Sequence, residues 1–506
     1  MPTRRRRPAA TIHLAALHRQ AERVRALLDR GVDPNARAEE QWTPLMHAAR
    51  GGSAGIITLL IERGADVRAV NGYGRTALHE AVCVDHAAAV RALLDAGADV
   101  NAVARIGGTP LAEALGNAGV DVVTLLIDAG ADIACRTGTG MTPLSWAAQG
   151  GHVDLLRTLI TRGAALEPLA GGMTPLALAA AYRHVDAARA LIEGGAVIDG
   201  NAMTWAARAG ADVLAALLDA GGDPNARDAD GNTPLAEAAG AGNEAVVALL
   251  LARGATLESN VRSGGPVWRA AMGGHARTIE RLLAVPGADV DDTLARDGTS
   301  ALAVAARHGR DAVVDVLIAR GADVDRTATD GATALANAAE NGHIAIMARL
   351  VAAGAAIDGR AEGGPTPLMR AVRAMGTAEA VDWLLARGAD VHARDRAGLT
   401  PLLHAAYGGG RHVARLIVAR ADVNVENGGY TALALLTTVG YGEDRYARPR
   451  TFPEDSAGPA IEALLAAGAD PNVALPWPLQ HVTLLELSRE LRAPETVALF
   501  ERYGAR

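Results

Sequence analysis

Aromatic side chains are scarce in this chain of 506 residues: 2 Phe, 6 Trp and 7 Tyr, or 3% of the sequence. Apolar residues nevertheless make up 50%, so the core must be built from Ala, Leu and Val, and small residues imply helices that approach closely. Cysteine is nearly missing. Cys83 and Cys135 are the two present, which excludes a disulfide framework and fits a reducing, cytoplasmic compartment. No apolar run approaches the roughly eighteen residues that span a bilayer. An excess of base is lacking too. The net charge is −8 and the pI near 6.0, a poor match to nucleic-acid binding through phosphate neutralisation. The basic run Arg4–Arg7 is followed by a stretch that His13 and His18 interrupt. It therefore lacks the apolar core of a secretory signal, and residues 1–9 read as a solvated basic tail, with a targeting or anionic-surface tag as the alternative. Arginine and alanine outnumber lysine, which fits a GC-rich, bacterial genome.

Catalytic and metal signatures are absent as well. No His-x-x-x-His, Cys-x-x-Cys or Gly-x-Ser-x-Gly occurs, so neither a zinc site nor a serine-nucleophile elbow is expected. Gly408-Gly409-Gly410-Arg411-His412 lacks the Lys-Ser/Thr of a phosphate-binding loop. Cys83 reads as a free thiol facing a groove. No cofactor, metal or catalytic residue is expected.

The chain does hold one phrase, used over and over. In Thr142-Pro143-Leu144-Ser145-Trp146-Ala147-Ala148-Gln149-Gly150-Gly151-His152, Thr142 suits a helix N-cap and Pro143 the first helical position. Gly150 and Gly151 stop that helix, one of them in the left-handed region. Val153, Leu155, Leu156, Leu159 and Ile160 then give a second helix one apolar face, and Arg162-Gly163 closes it. Anchoring on each such Thr or its equivalent gives positions 10, 43, 76, 109, 142, 174, 201, 233, 265, 300, 333, 366, 400, 431 and 483. The period is about 33 residues over fifteen units, a repeat architecture whose core grows in one dimension.

Thr43-Pro44-Leu45 with Ala48-Ala49, Leu93-Leu94 with Gly97-Ala98-Asp99-Val100-Asn101, and Asp228-Ala229-Asp230-Gly231-Asn232-Thr233-Pro234-Leu235 together resemble the ankyrin repeat, from about residue 10 to 506. The resemblance implies an all-α solenoid: two antiparallel helices and a projecting β-turn finger per unit. It also accounts for nine of the fourteen histidines. His86, His152, His184, His275 and His343 occupy the Gly-His turn, and His13, His79, His47 and His404 lie in first helices.

Regularity is expected to fail in three places. Asn201 follows its predecessor by only 27 residues, so a finger is largely deleted there. Gly265-Pro266-Val267 replaces Thr-Pro-Leu, with an extra residue before Gly287-Ala288-Asp289. Altered curvature is expected near both. An insert at about 440–459, read either as a disordered insertion or as a contact loop, separates the helices of the unit at 431, and residues 474–506 read as a C-terminal capping repeat after stacked repeats over 10–473.

In such repeats, fingers and first-helix ends line a concave face used for partners. The matching finger positions here are Trp42, Tyr73, Arg75, Arg105, Met141, Met173, Leu399 and Tyr430. The helix-end positions are Arg50, Tyr182, Arg183, Arg208, Met272, Arg307, His308, Arg373, Met375 and Tyr407, and the insert adds Tyr441, Tyr446 and Phe452. Arg, Tyr, Trp and Met are enriched in interface cores. The expectation is a monomeric, non-enzymatic scaffold or adaptor whose protein partner has acidic and apolar surface. Two other readings stay open: an effector of this repeat family acting on host proteins, and an enzyme with its site on the insert.

Overall fold

The computed structural model describes residues 8–105, 107–166, 173–258, 264–373, 377–438, 457–473, 475, 482–490 and 493–505. Among them lie thirty helices, which form fifteen helix–turn–helix pairs. The chain divides into two compact units, Met1–Ala229 and Asp230–Arg506, holding seven and eight pairs. In each unit, first helices pack on the first helices of neighbouring pairs and second helices on second helices. The architecture is an all-α solenoid, with two-stranded antiparallel hairpins in fingers at Thr293–Leu294 with Thr299–Ser300 and at Glu426–Asn427 with Tyr430–Thr431.

The repeated phrase folds for local reasons. Thr142 Oγ1 accepts the Ser145 N–H at 3.2 Å, satisfying an orphan donor of the helix Pro143–Gly150. Thr43, Thr109, Thr174, Thr233 and Thr400 cap in the same way. Gly151 then takes φ 69° and ends the helix. Leu45, Leu78, Leu111, Leu144 and Leu176, two residues after each anchor, are all buried. The Ala-Ala pairs behind them, such as Ala48-Ala49 and Ala147-Ala148, are fully buried, and their small size lets adjacent first helices approach.

Histidine fastens one pair to the next. The Nε2–H of His184, His275 and His343 donates to the carbonyls of Gln149, Gly240 and Arg307, each in the preceding pair, at 3.0, 3.1 and 3.2 Å. The ring lies over a left-handed glycine of that pair: a Cβ on Gly151 or Gly242 would stand 2.6 or 2.3 Å from it. Those glycines are required twice, for φ and for the ring. A second ladder runs along the loops. Asn35 accepts the Asp66 N–H at 2.7 Å and donates to the Gly64 carbonyl at 2.9 Å; Asn101 and Asn424 repeat this with Asp132 and Gly130, and with Asp470 and Gly468. At Asp291, Asp325 and Asp358 the acceptor half alone survives. Finger tips are joined by backbone bonds, Gly72 N to Glu40 O and Arg105 N to Tyr73 O in the first unit, Thr329 N to Asp297 O and Arg396 N to Gly363 O in the second.

The irregular places have specific substitutes. The helix Gly200–Ala209 starts before the anchor expected at Asn201, because Asp199 is its cap and accepts the Ala202 N–H at 2.8 Å. The next finger lies directly on it, and a Cβ on Gly200 would fall 1.8 Å from the Arg227 carbonyl oxygen. Gly265 has no hydroxyl to cap Pro266–Gly273; Asp292, from the following loop, accepts the Trp268 N–H at 3.0 Å instead. The first helix begins at Pro8, inside the segment read as a tail, and the helix Ala457–Ala466 takes up the end of the segment read as an insert. The remainder of that insert, with Tyr441, Tyr446 and Phe452, lies outside the described residues, as does Met375.

Candidate functional site

Finger residues and first-helix ends stand where the 33-residue register puts them, but they are not equally available. Tyr73, Tyr182, Met272 and Tyr407 are among the exposed large apolar side chains. Arg50, Arg105, Arg183, Arg208, His308 and Arg373 are exposed, while Trp42, Met141, Met173, Arg307, Leu399 and Tyr430 are half-buried. Several pair with residues one unit away: Tyr182 Oη accepts from Gln149 Nε2 at 3.0 Å, and Arg307 donates to Asn337 Oδ1 through Nε and Nη2 at 3.0 and 2.9 Å. Arg208 lies 5.0 Å from the Trp205 ring.

Arg75 is the clearest departure from a free interface cation. Its side chain is only 17% exposed, and it bonds Glu80 Oε1 and Glu113 Oε1, both at 2.7 Å, and the His79 carbonyl at 3.2 Å. Burial pushes the Glu113 carboxyl up, and Arg75 offsets only part of that. A buried triad of this kind orders the groove floor; removing one member leaves a desolvated charge at a cost of about 3 kcal/mol. The same fourth position after the anchor carries Glu237 and Arg269 (2.9 Å apart) and Arg370, paired with Asp330 and, at 3.1 Å, with Glu340.

His404 also occupies that position. Its Nε2–H donates to Asp395 Oδ2 at 2.8 Å, in a cleft that Met369, Arg370 and Arg373 share. Burial lowers its pKa, and Asp395 does not restore it, so the imidazole is neutral at pH 7. Glu80, Glu113, Glu237, Glu340 and Asp395 were not singled out by the sequence. A signal was available for part of them: Glu80, Glu113 and Glu237 lie four residues after their anchors, the column that Arg269, Arg370 and His404 also occupy, whereas Glu340 and Asp395 lie outside it.

A second cleft opens beside the first finger of the first unit. Leu14, Leu17, Trp42, His13, His47 and Arg50 line it. His13 Nε2–H is shared between the Ala36 and Trp42 carbonyls at 2.9 and 3.1 Å. The His47 ring lies edge-on to both His13 and Trp42, with centroids 5.1 and 5.0 Å apart. Burial lowers the His47 pKa, with His13 and Arg50 acting in the same direction. Cys83 is exposed, and burial pushes the Cys135 thiol up to about 11, which leaves it protonated and unreactive. Among the described residues no cluster of His, Cys, Asp or Glu is placed to hold a metal ion, and no helix is long and apolar enough to cross a membrane.

Helix pairs of one period, joined by capped turns and finger ribbons, define a repeat protein. The family model for ankyrin repeats (three copies) matches residues 12–104, 111–202, 195–261, 257–328, 313–395 and 368–443. The chain belongs to the ankyrin-repeat family, whose members are generally protein–protein interaction modules and typically not enzymes. No curated protein matches it.

Proposed function

We propose that the chain is a non-enzymatic scaffold that holds a protein partner on its finger-and-groove surface. The observation that carries this reading is the contrast within each repeat: Thr, Leu and Ala positions are buried and interchangeable between units, whereas Tyr73, Arg50, Tyr182, Arg208, Met272, Arg373 and Tyr407 differ from unit to unit and are exposed. Scaffold needs do not call for large residues there, and interface composition does. The layout expected with it is a short basic tail, the stacked repeats and a C-terminal cap. The near absence of cysteine supports a cytoplasmic setting.

The test is capture from native lysate by the full chain, beside a variant carrying Arg50→Glu, Arg208→Glu and Arg373→Glu. Arg307 is left alone because its bonds to Asn337 are structural. The sequence has no lysine, so the crosslinker must be photoactivated rather than amine-directed. A protein captured by the parent and lost by the variant supports the reading. Equal capture by both moves the partner off the groove.

A further inference from the structure

Fingers in this chain turn on a left-handed glycine, such as Gly74, Gly107 and Gly140. The first finger has none. Glu40 and Gln41 adopt φ 53° and 64° in succession, a conformation that costs side-chain-bearing residues energy and persists only where the surroundings impose it. Here they do. The Glu40 carbonyl accepts the Gly72 N–H at 2.6 Å, and Glu40 Oε1 accepts the Tyr73 hydroxyl at 2.5 Å. Arg37 Nη1 donates to the carbonyls of Gln41 and Val70 at 2.8 and 2.7 Å. The strained turn delivers Trp42 to the cleft beside it, with the Arg50 guanidinium 5.4 Å from its ring.

The cleft has one chemistry on its wall and another on its rim. Leu14, exposed by 42%, Leu17 and Trp42 form an apolar wall. At the rim, Arg50 is 54% exposed and only loosely paired, 3.8 Å from Glu80, which Arg75 holds at 2.7 Å. Arg37 spends its bonds on carbonyl oxygens and, among the described residues, pairs with no carboxylate. Of the rim carboxylates, Glu40 is engaged by Tyr73, which leaves Glu39. Two guanidiniums without firm counter-ions beside exposed apolar surface are complementary to a ligand that is both apolar and anionic.

We propose that this cleft takes a segment of a partner protein in which an aliphatic or aromatic side chain lies close in sequence to a carboxylate. The apolar group sits against Leu14, Leu17 and Trp42, and the carboxylate meets Arg50. This rests on the reading of the chain as an interaction module and adds the place and chemistry of docking.

The probe is a phage-displayed library of random dodecapeptides selected on the full chain, followed by the synthetic winner in a fluorescence-polarisation assay. Enriched peptides are expected to carry Asp or Glu within two positions of Leu, Ile, Phe or Trp. Trp42→Ala and Arg50→Glu should each weaken the winner at least tenfold, as should Asp→Asn or Glu→Gln in the peptide, while Arg157→Glu, an exposed change outside the finger-and-groove surface, leaves it unchanged. Gln41→Gly, which relieves the backbone and spares the fold, should weaken it severalfold by loosening Trp42. Winners without a carboxylate, or indifferent to Trp42→Ala and Arg50→Glu, overturn the proposal. No enrichment, while lysate capture still succeeds, overturns the cleft alone; failure of both removes the interaction reading with it.

Discussion

His79 shows how much a single side chain carries here. Its Nδ1 accepts the Thr76 N–H at 3.2 Å, and its Nε2–H donates to the Gly108 carbonyl at 3.3 Å, so one neutral ring caps its own helix and reaches the next finger. Burial lowers its pKa below the ordinary 6.5. The unfolded chain therefore takes up a proton that the fold refuses, and the stability held at neutral pH is lost as pH falls below about 6.5. His47 and His404 are depressed in the same direction. The expected outcome is a lower urea midpoint at pH 5.5 than at pH 7.5, with a smaller difference in His79→Gln. Equal differences in variant and parent would remove His79 from the account. The caps and histidines were legible in the sequence because each acts within its own phrase or at a fixed turn. The Arg75, Glu80 and Glu113 triad was not, since its partners lie five and thirty-eight residues away and the link appears only when units are laid side by side. The turn at Glu40 and Gln41 left no trace either, because glycine is the usual sign of that backbone and both positions lack it.

At the scale of the repeat, the loop ladder offers a comparison that the chain makes with itself. Asn35, Asn101 and Asn424 both accept and donate, whereas Asp358 only accepts, from the Asp390 N–H at 3.1 Å. Burial and the neighbouring Asp390 charge push the Asp358 carboxyl up. Asp358→Asn restores the donor toward Gly388 and removes a repulsion, a gain of about 1 kcal/mol. A raised thermal midpoint at pH 7 is the expected result, and an unchanged or lowered one would mean that the aspartate is already well placed. The short step to Asn201 was readable from spacing, and the altered phrase at 265 from its residues Gly265-Pro266-Val267. Their repairs were not, for Asp199 and Asp292 act through bonds that no spacing announces.

Within each unit, a helix pair is stabilised by packing on its immediate neighbours. The described residues fall into two compact units, so unfolding need not be one event. Calorimetry should give an enthalpy well above the van't Hoff value, and the urea transition should be broader than a single cooperative chain of 506 residues would show. Coincidence of the two enthalpies would require longer-range coupling than neighbour packing supplies. The finger ribbon adds a mechanical side to this. Backbone bonds such as Gly72 to Glu40 and Arg396 to Gly363 lie between adjacent repeats and are loaded one after another when the chain is pulled from its ends. Each repeat of about 33 residues that peels away would lengthen the tether by roughly 110 Å while the rest of its stack keeps its folded neighbours, so the expected response to tension is a series of steps of about that length.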